Sequence, residues 1–422
     1  MTLYQNTLEF AQAADLKDPL RSFRDAFYLP QTPKGGPTVY LCGNSLGLQP
    51  KQTEQFLKEE LDSWRALGVD GHTEGTHPWL PYHEFLTQQM AEIVGAKDHE
   101  VVVMNGLTAN LHLMMVSFYR PTDKRFKVVI EKDAFPSDRY AVESQLRFHG
   151  YDPKEALIQW APPNGEELCN FADLEDLMTA QGHQVALVLL GNTNYYTGQA
   201  YPIDRITNLG HQHGALVGFD LAHGVGNIMP ELHKNGPDFA VWCTYKYLNS
   251  GPGSLGGVFV HERHAQDKTL PRFTGWWGHN KTTRFNMRHD FDPIPGAEGW
   301  QLSNPPILSM AAIRASLDLF HQASMTRLRA KSIKLTGYLE YLIDDLSSDK
   351  IRVITPRNPL ERGCQLSLQI KDSNKLLHDA LTERGVVCDW REPDVIRVAP
   401  TPMYNSFEDV FQFVKHLKEV VA

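Results

Sequence analysis

Cysteine is scarce in this chain: five residues (Cys42, Cys169, Cys243, Cys364 and Cys388) lie far apart, with no CxxC pair among them. An odd, dispersed set excludes a disulfide framework and a cysteine-based zinc site and fits reduced thiols in the cytosol. Long apolar runs are missing too. Stretches such as VALVLL at 185–190 fall far short of the ~20 residues that a membrane span needs. No Lys/Arg block occurs and the formal net charge is -9, so nothing here would neutralise a nucleic-acid backbone. The N-terminus, MTLYQNTLEFAQAADLKDPL, has no basic start ahead of an apolar core and carries Glu9, Asp15 and Asp18, which argues against a signal or transit peptide. The expectation is a soluble, cytoplasmic protein with neither a nucleic-acid nor a membrane partner.

What is present is the composition of an ordinary globular protein, 42% hydrophobic and 22% charged. At 422 residues the chain exceeds the roughly 250 to 300 residues at which one core stops growing, so two domains are expected. Short β-branched runs alternate with helical patterns from about residue 100: VVVM at 101, KVVIE at 127, VALVLL at 185, ALVGFD at 215 and GGVFVHE at 256. That alternation predicts an α/β domain on a mostly parallel sheet buried on both faces. After Pro305-Pro306 come two long amphipathic helices, LSMAAIRASLDLFHQA and MTRLRAKSIKLTGYLEYLIDDL, then the strand QLSLQI and a helix from Ser406. The expected division is a large domain over 36–304 and a smaller α+β domain over 305–422, with residues 1–35 packing on the latter.

The most informative stretch runs from Phe219 to Gly251, FDLAHGVG and then DFAVWCTYKYLNSGPG. Asp220 directly follows an apolar strand, which puts its carboxylate at the sheet edge where α/β proteins bind ligands. Lys246 lies between two tyrosines, and an apolar setting favours the neutral amine that attacks an aldehyde. A carboxylate for a pyridinium nitrogen and a lysine for an aldehyde are what pyridoxal 5′-phosphate (PLP) requires. Its phosphate needs backbone amides at a helix N-terminus and a hydroxyl. MNGLTANLHLMMVSF offers both, with Thr108 read as the helix cap and the amide of Leu107 beside it. Phe135, at the next strand-to-helix turn, could stack on the ring.

With these motifs go GNSLGLQP (43–50), AFPSDRYAVESQL (134–146), YYTGQ (195–199), GWWGH (275–279), SNPPIL (303–308) and RVAPTPMYNSF (397–407). In order and approximate spacing the set resembles the kynureninases, class V aminotransferase-like PLP enzymes of fold type I. The resemblance spans nearly the whole chain. It implies that Lys246 carries the cofactor as a Schiff base, that Asp220 pairs with the pyridine nitrogen and that Phe135 stacks on the ring. Leu107, Thr108 and Tyr245 would hold the phosphate, helped by Trp276 and Asn304 from the neighbouring subunit of a homodimer. Pro136, Ser137, Asp138 and His223 match further cofactor contacts. One position departs from the pattern: Gly191 stands where relatives often carry Ser or Thr, so a side-chain hydrogen bond is missing or comes from elsewhere, Asn192 or Thr193 being nearest.

The same resemblance assigns the substrate α-carboxylate to Arg397, whose planar guanidinium binds carboxylates bidentately. His72, Asn304 and Ser45 match positions lining the aromatic end of the substrate, and polar groups there favour the phenol of 3-hydroxykynurenine over plain kynurenine. The implied reaction is hydrolysis of the Cβ–Cγ bond to alanine and anthranilate or 3-hydroxyanthranilate. Lys246 would be the base at Cα and Tyr245 the acid. A metal site at His77 or at His211 and His213 is rejected for want of ligand spacing. A cysteine desulfurase or aminotransferase on the same fold is the nearest rival, but Cys364 and Cys388 sit in apolar strand patterns. A non-catalytic PLP-fold protein is the other.

Overall fold

A computed structural model describes residues 4–33 and 35–421. A two-residue strand β1 (Val39–Tyr40) comes first. The strands β2 (Val101–Met104), β3 (Lys127–Glu131), β4 (Leu157–Trp160), β5 (Val185–Gly191), β6 (Leu216–Asp220), β7 (Phe239–Cys243) and β8 (Gly256–Val260) then build one seven-stranded sheet in the order β2-β8-β7-β6-β5-β3-β4. Only β8 runs against its neighbours. The other six therefore end on one edge. The five strands legible as apolar runs are all present, and β4 and β7 join them.

From Leu187 to Leu190 the side chains of β5 alternate between two cores, Val188 and Leu190 pointing into one and Leu187 and Leu189 into the other. Such a strand has no solvent face, which is why its sequence is continuously apolar. Gly218 in β6 pairs with Phe239 in β7. A Cβ at Gly218 would lie 2.1 Å from Cζ of that ring, so the strand has a glycine where a neighbouring aromatic fills the space.

The C-terminal strands β9 (Ile351–Val353), β10 (Leu366–Ile370), β12 (Asp389–Arg391) and β13 (Val395–Val398) form an antiparallel sheet in the order β12-β13-β10-β9, while β11 (Val386–Val387) pairs with β1. Helices Met325–Asp345 and Phe407–Val421 share a core with this sheet, joined by Ala11 of the N-terminal helix Leu8–Leu16. Asp15 of that helix accepts hydrogen bonds from the amides of Phe407 and Glu408 at 2.7 and 3.0 Å, satisfying donors that a helix start leaves free.

The helix Ile307–Ala323 corrects one expectation. Its Met310, Ile313, Leu317 and Phe320 share the large-domain core with Leu86, Met90 and Val101, and Arg314 reaches back to Tyr82 and Glu59 at 3.0 and 3.2 Å. Periodicity reports a buried face but not its partner, and this helix beyond Pro305-Pro306 packs on the large domain instead of the small one. Among the described residues no helix is long and apolar enough to cross a membrane.

Replacing Gly218 by Ala should cost about 1–3 kcal/mol through overpacking and lower the thermal midpoint. Adding Phe239→Leu should recover part of that loss, and two purely additive penalties would contradict the contact described.

Candidate active site

Asp220 is the last residue of β6, with its side chain buried and the Ala222 amide donating to Oδ1 at 2.6 Å. Lys246 lies on the turn after β7, which closes through Ser250 N–H to Thr244 O (3.1 Å) and Asn249 N–H to Lys246 O (3.0 Å). The loop GNSLG braces the same turn. Gly47 donates to Tyr245 O at 2.9 Å, and a Cβ on it would meet Lys246 O at 2.3 Å. That close approach explains the glycine. Nζ of Lys246 sits 5.8 Å from the ring centre of Phe135. Phe135 is 46% exposed toward the cavity and stands edge-on to Tyr195 at 5.4 Å. Glu131, Gly191, Thr193, Ala222 and His223 complete this part of the wall.

Three carboxyl groups face one lysine here. Burial raises Asp220, and the Lys246 ammonium, the Ala222 amide and Asp138 work against that rise. Asp138 is pushed up further, by burial and then by the nearby charge of Asp220. Two buried carboxyls placed side by side each favour the protonated form of the other. Glu131 is pushed up to about 7 by burial, with the two-fold hydrogen bond from the Gly191 amide (3.0 and 3.2 Å) opposing it. His223 is driven well down by burial and by Lys246, so it is neutral, and its buried Nδ1 has no partner.

The helix Leu107–Phe118 begins at the same edge, just after β2. Its N-cap is Gly106, not Thr108, with φ −91° and ψ 161°, no side-chain cap bond and no acidic residue in the first turn. Thr108 is the second helical residue, and its Oγ1 bonds Ser137 Oγ at 2.9 Å. The first-turn amides are therefore uncapped, with two hydroxyls beside them, a suitable setting for a phosphate dianion.

Other predicted residues lie off the cavity. Pro136 is the exposed first residue of the helix Pro136–Phe148. Arg397 is 1% exposed, pairs with Asp389 across β12 and β13 (Nε to Oδ1 3.2 Å, a terminal nitrogen to Oδ2 2.6 Å) and donates to Tyr195 O at 2.6 Å. His72 bonds Val69 O through Nδ1 at 2.9 Å and stands edge-on to Trp79. Ser45 is exposed in a turn closed on Cys42 O. Trp276 and Asn304 are also exposed, their loops joined by Trp277 N–H to Leu302 O at 3.2 Å. Of the residues near Gly191, Thr193 lines the cavity, while Asn192 is buried with Nδ2 unpartnered. His211 is bonded to Asp238 at 2.8 Å. Reading the sequence missed Glu131, Tyr195 and Asp389. Glu131 carried a usable signal, an acidic residue closing an apolar strand as Asp220 does.

A pyridinium to pair, an aldehyde to bind and a phosphate dianion to hold are demands that one small molecule makes together, and this edge answers each on a different strand. The class so defined is the PLP-dependent enzymes of fold type I. Solved structures agree on the fold. A cysteine desulfurase from Thermococcus onnurineus NA1 matches with TM-score 0.74 at 17% identity over 91% of this chain and 94% of that one. C-DES with glycine covalently linked to its PLP cofactor matches with TM-score 0.75 at 15% identity over 90% and 96%. The family model described as the kynureninase C-terminal domain matches residues 328–417. Identity reaches 58% with the kynureninase of Myxococcus xanthus, over 99% of this chain and 98% of that protein. It is 53% with that of Koribacter versatilis (98% and 97%) and 49% with that of Flavobacterium psychrophilum (99% and 99%). The chain belongs to the kynureninase family, and its cofactor is pyridoxal 5′-phosphate.

The raised Glu131 carboxyl has a thermodynamic consequence. In the unfolded chain it ionises around the ordinary carboxylate value, in the folded apoprotein at about 7, so its contribution is complete below pH ~4.5 and is lost as pH rises through 7. Glu131→Gln should remove that loss. Between pH 5 and pH 7.5 the thermal midpoint of the variant apoprotein should gain on the parent's, and parallel midpoints would contradict a raised carboxyl.

Proposed function

We propose that this chain hydrolyses the Cβ–Cγ bond of 3-hydroxykynurenine, and less readily of kynurenine, giving alanine and the matching anthranilate. The observation that carries the reading is Lys246 and Asp220 on adjacent strand ends facing one cavity. Bound there, PLP supplies an aldehyde for the substrate amine and a ring that takes up the charge left when Cα loses its proton.

The residues have separate tasks. Asp220 keeps the pyridine nitrogen protonated. The amides of Leu107 and Thr108 and the hydroxyls of Thr108 and Ser137 take the phosphate. Phe135 covers one ring face, and His223, neutral with a free Nδ1, lies on the wall beside Ala222. Lys246 Nζ, once released, takes the proton from Cα. Tyr245, raised by burial, keeps its hydroxyl proton at neutral pH and supplies it late in the sequence. Arg397 has five N–H groups, three of them engaged with Asp389 and Tyr195 O. The other two, one on each terminal nitrogen, suit a carboxylate.

His72 donates to Val69 O through Nδ1, which leaves Nε2 as an acceptor for a phenolic O–H. Trp276, with exposed Phe285 and Met287 nearby on its surface, and the adjacent Asn304 are offered to a second copy, so the working unit is a homodimer with its sites at the interface. The five cysteines are unpaired, as the cytoplasm would keep them. Sulfur transfer is disfavoured because burial raises every thiol, Cys364 to about 12.

Steady-state assays on both substrates, with alanine measured alongside, test this reading. kcat/KM should be higher for 3-hydroxykynurenine, and one alanine should appear per substrate consumed. A preference for kynurenine would overturn the roles of His72 and Asn304. No alanine from either would overturn the reaction.

A further inference from the structure

Glu131 is a buried acid that none of these steps employs. It closes β3 as Asp220 closes β6, and β5, ending in Gly191, lies between them. Only 4% of it is exposed and it lines the cavity. Among the described residues no cation pairs with it, and the donor its side chain meets across the sheet is the Gly191 amide. A carboxylate has about four acceptor positions, and a buried charge so poorly matched is costly. Burial accordingly pushes the group up to about 7, with Asp220 adding to the rise. As an acid it has an O–H to place, and it faces the cavity.

The sheet order indicates what the O–H meets. With the pyridine nitrogen at Asp220 and the aldehyde carbon at Lys246, the phosphate arm would leave the ring on the side of β7, β8 and β2, toward Leu107. The opposite edge of the ring, carrying the methyl group and the phenolic oxygen, would then face β5 and β3, where Gly191 and Glu131 stand. The phenolic oxygen is the hydrogen-bond acceptor on that edge. Gly191 keeps the approach open, because a Cβ there would lie 2.8 Å from Glu131 Oε1.

We propose that Glu131 donates a hydrogen bond from its carboxyl group to the phenolic oxygen of the bound cofactor, reaching it across Gly191. The proposal rests on the reading that PLP is bound at Lys246. A donor at that oxygen stabilises its negative charge and weakens its hold on the proton at the lysine–cofactor linkage. The linkage then loses its proton, and the protein its yellow absorption, at a lower pH than without Glu131.

Absorption spectra of the cofactor-loaded protein, titrated with pH in the absence of substrate, test this. Glu131→Ala should move the loss of yellow colour upward by about one pH unit, the scale of one such hydrogen bond. Glu131→Gln should stay within about 0.3 unit of the parent, since its amide can donate in place of the acid. Glu131→Ala combined with Gly191→Ser should return toward the parent, the serine hydroxyl entering the vacated space from β5. A role confined to joining β3 and β5 would leave the titration unmoved. If Glu131→Ala does not keep the cofactor, Glu131→Met against Glu131→Gln makes the same comparison. A titration unchanged in the variant without a donor, or equally shifted in Glu131→Gln, overturns the proposal. A colourless parent protein overturns the PLP reading itself.

Discussion

The burial of Asp138 and Asp220 in one cavity wall is the constraint on which the rest of the site depends. Both carboxyls are buried, and two charges there would repel at close range in a poorly screened environment. That crowding raises both groups, Asp138 the further of the two, and Lys246 opposes the rise at each. Asp138 belongs to the turn and helix after β3, and the same turn carries Phe135 beside Lys246 and Ser137 bonded to Thr108. Placing that acid thus also places the Phe135 ring and the Ser137 hydroxyl on the cavity wall.

The second support comes from the small domain. It grips the YYTGQ loop through Arg397 and Gln365, which donate to Tyr195 O, Ser367, which donates to Tyr196 O, and Thr355, which donates to Thr197 O. Gly198 allows the bend, at φ +75°. Tyr195 in turn stands edge-on to Phe135. Asp389 fixes the Arg397 fork from the facing strand, a cross-strand pair that directs the guanidinium toward this loop. The cavity wall is therefore continuous with the small-domain sheet, although its floor is the large sheet.

Much of this was legible in the chain because buried parallel strands write themselves as unbroken apolar runs, and a polar residue ending such a run stands out. Asp220 was read that way. Glu131 carries the same signal at the end of β3, but the turn residues that follow it, KDAFPSD, are the stronger feature of that segment. Thr108 was misplaced by two residues, since Gly106 also satisfies a helix start and composition does not rank them. The helix Ile307–Ala323 went to the wrong layer because periodicity carries no partner. His72, Trp276 and Asn304 lie outside the cavity lined by Lys246 and Asp220, and motif order along a chain does not report which of its residues meet in space.

Borohydride reduction of the purified protein, followed by proteolysis and mass analysis, addresses the anchor directly. The account predicts one reduced cofactor per chain, on the peptide that contains Lys246, and none after Lys246→Ala. Label on another lysine, or label that survives Lys246→Ala, would contradict it.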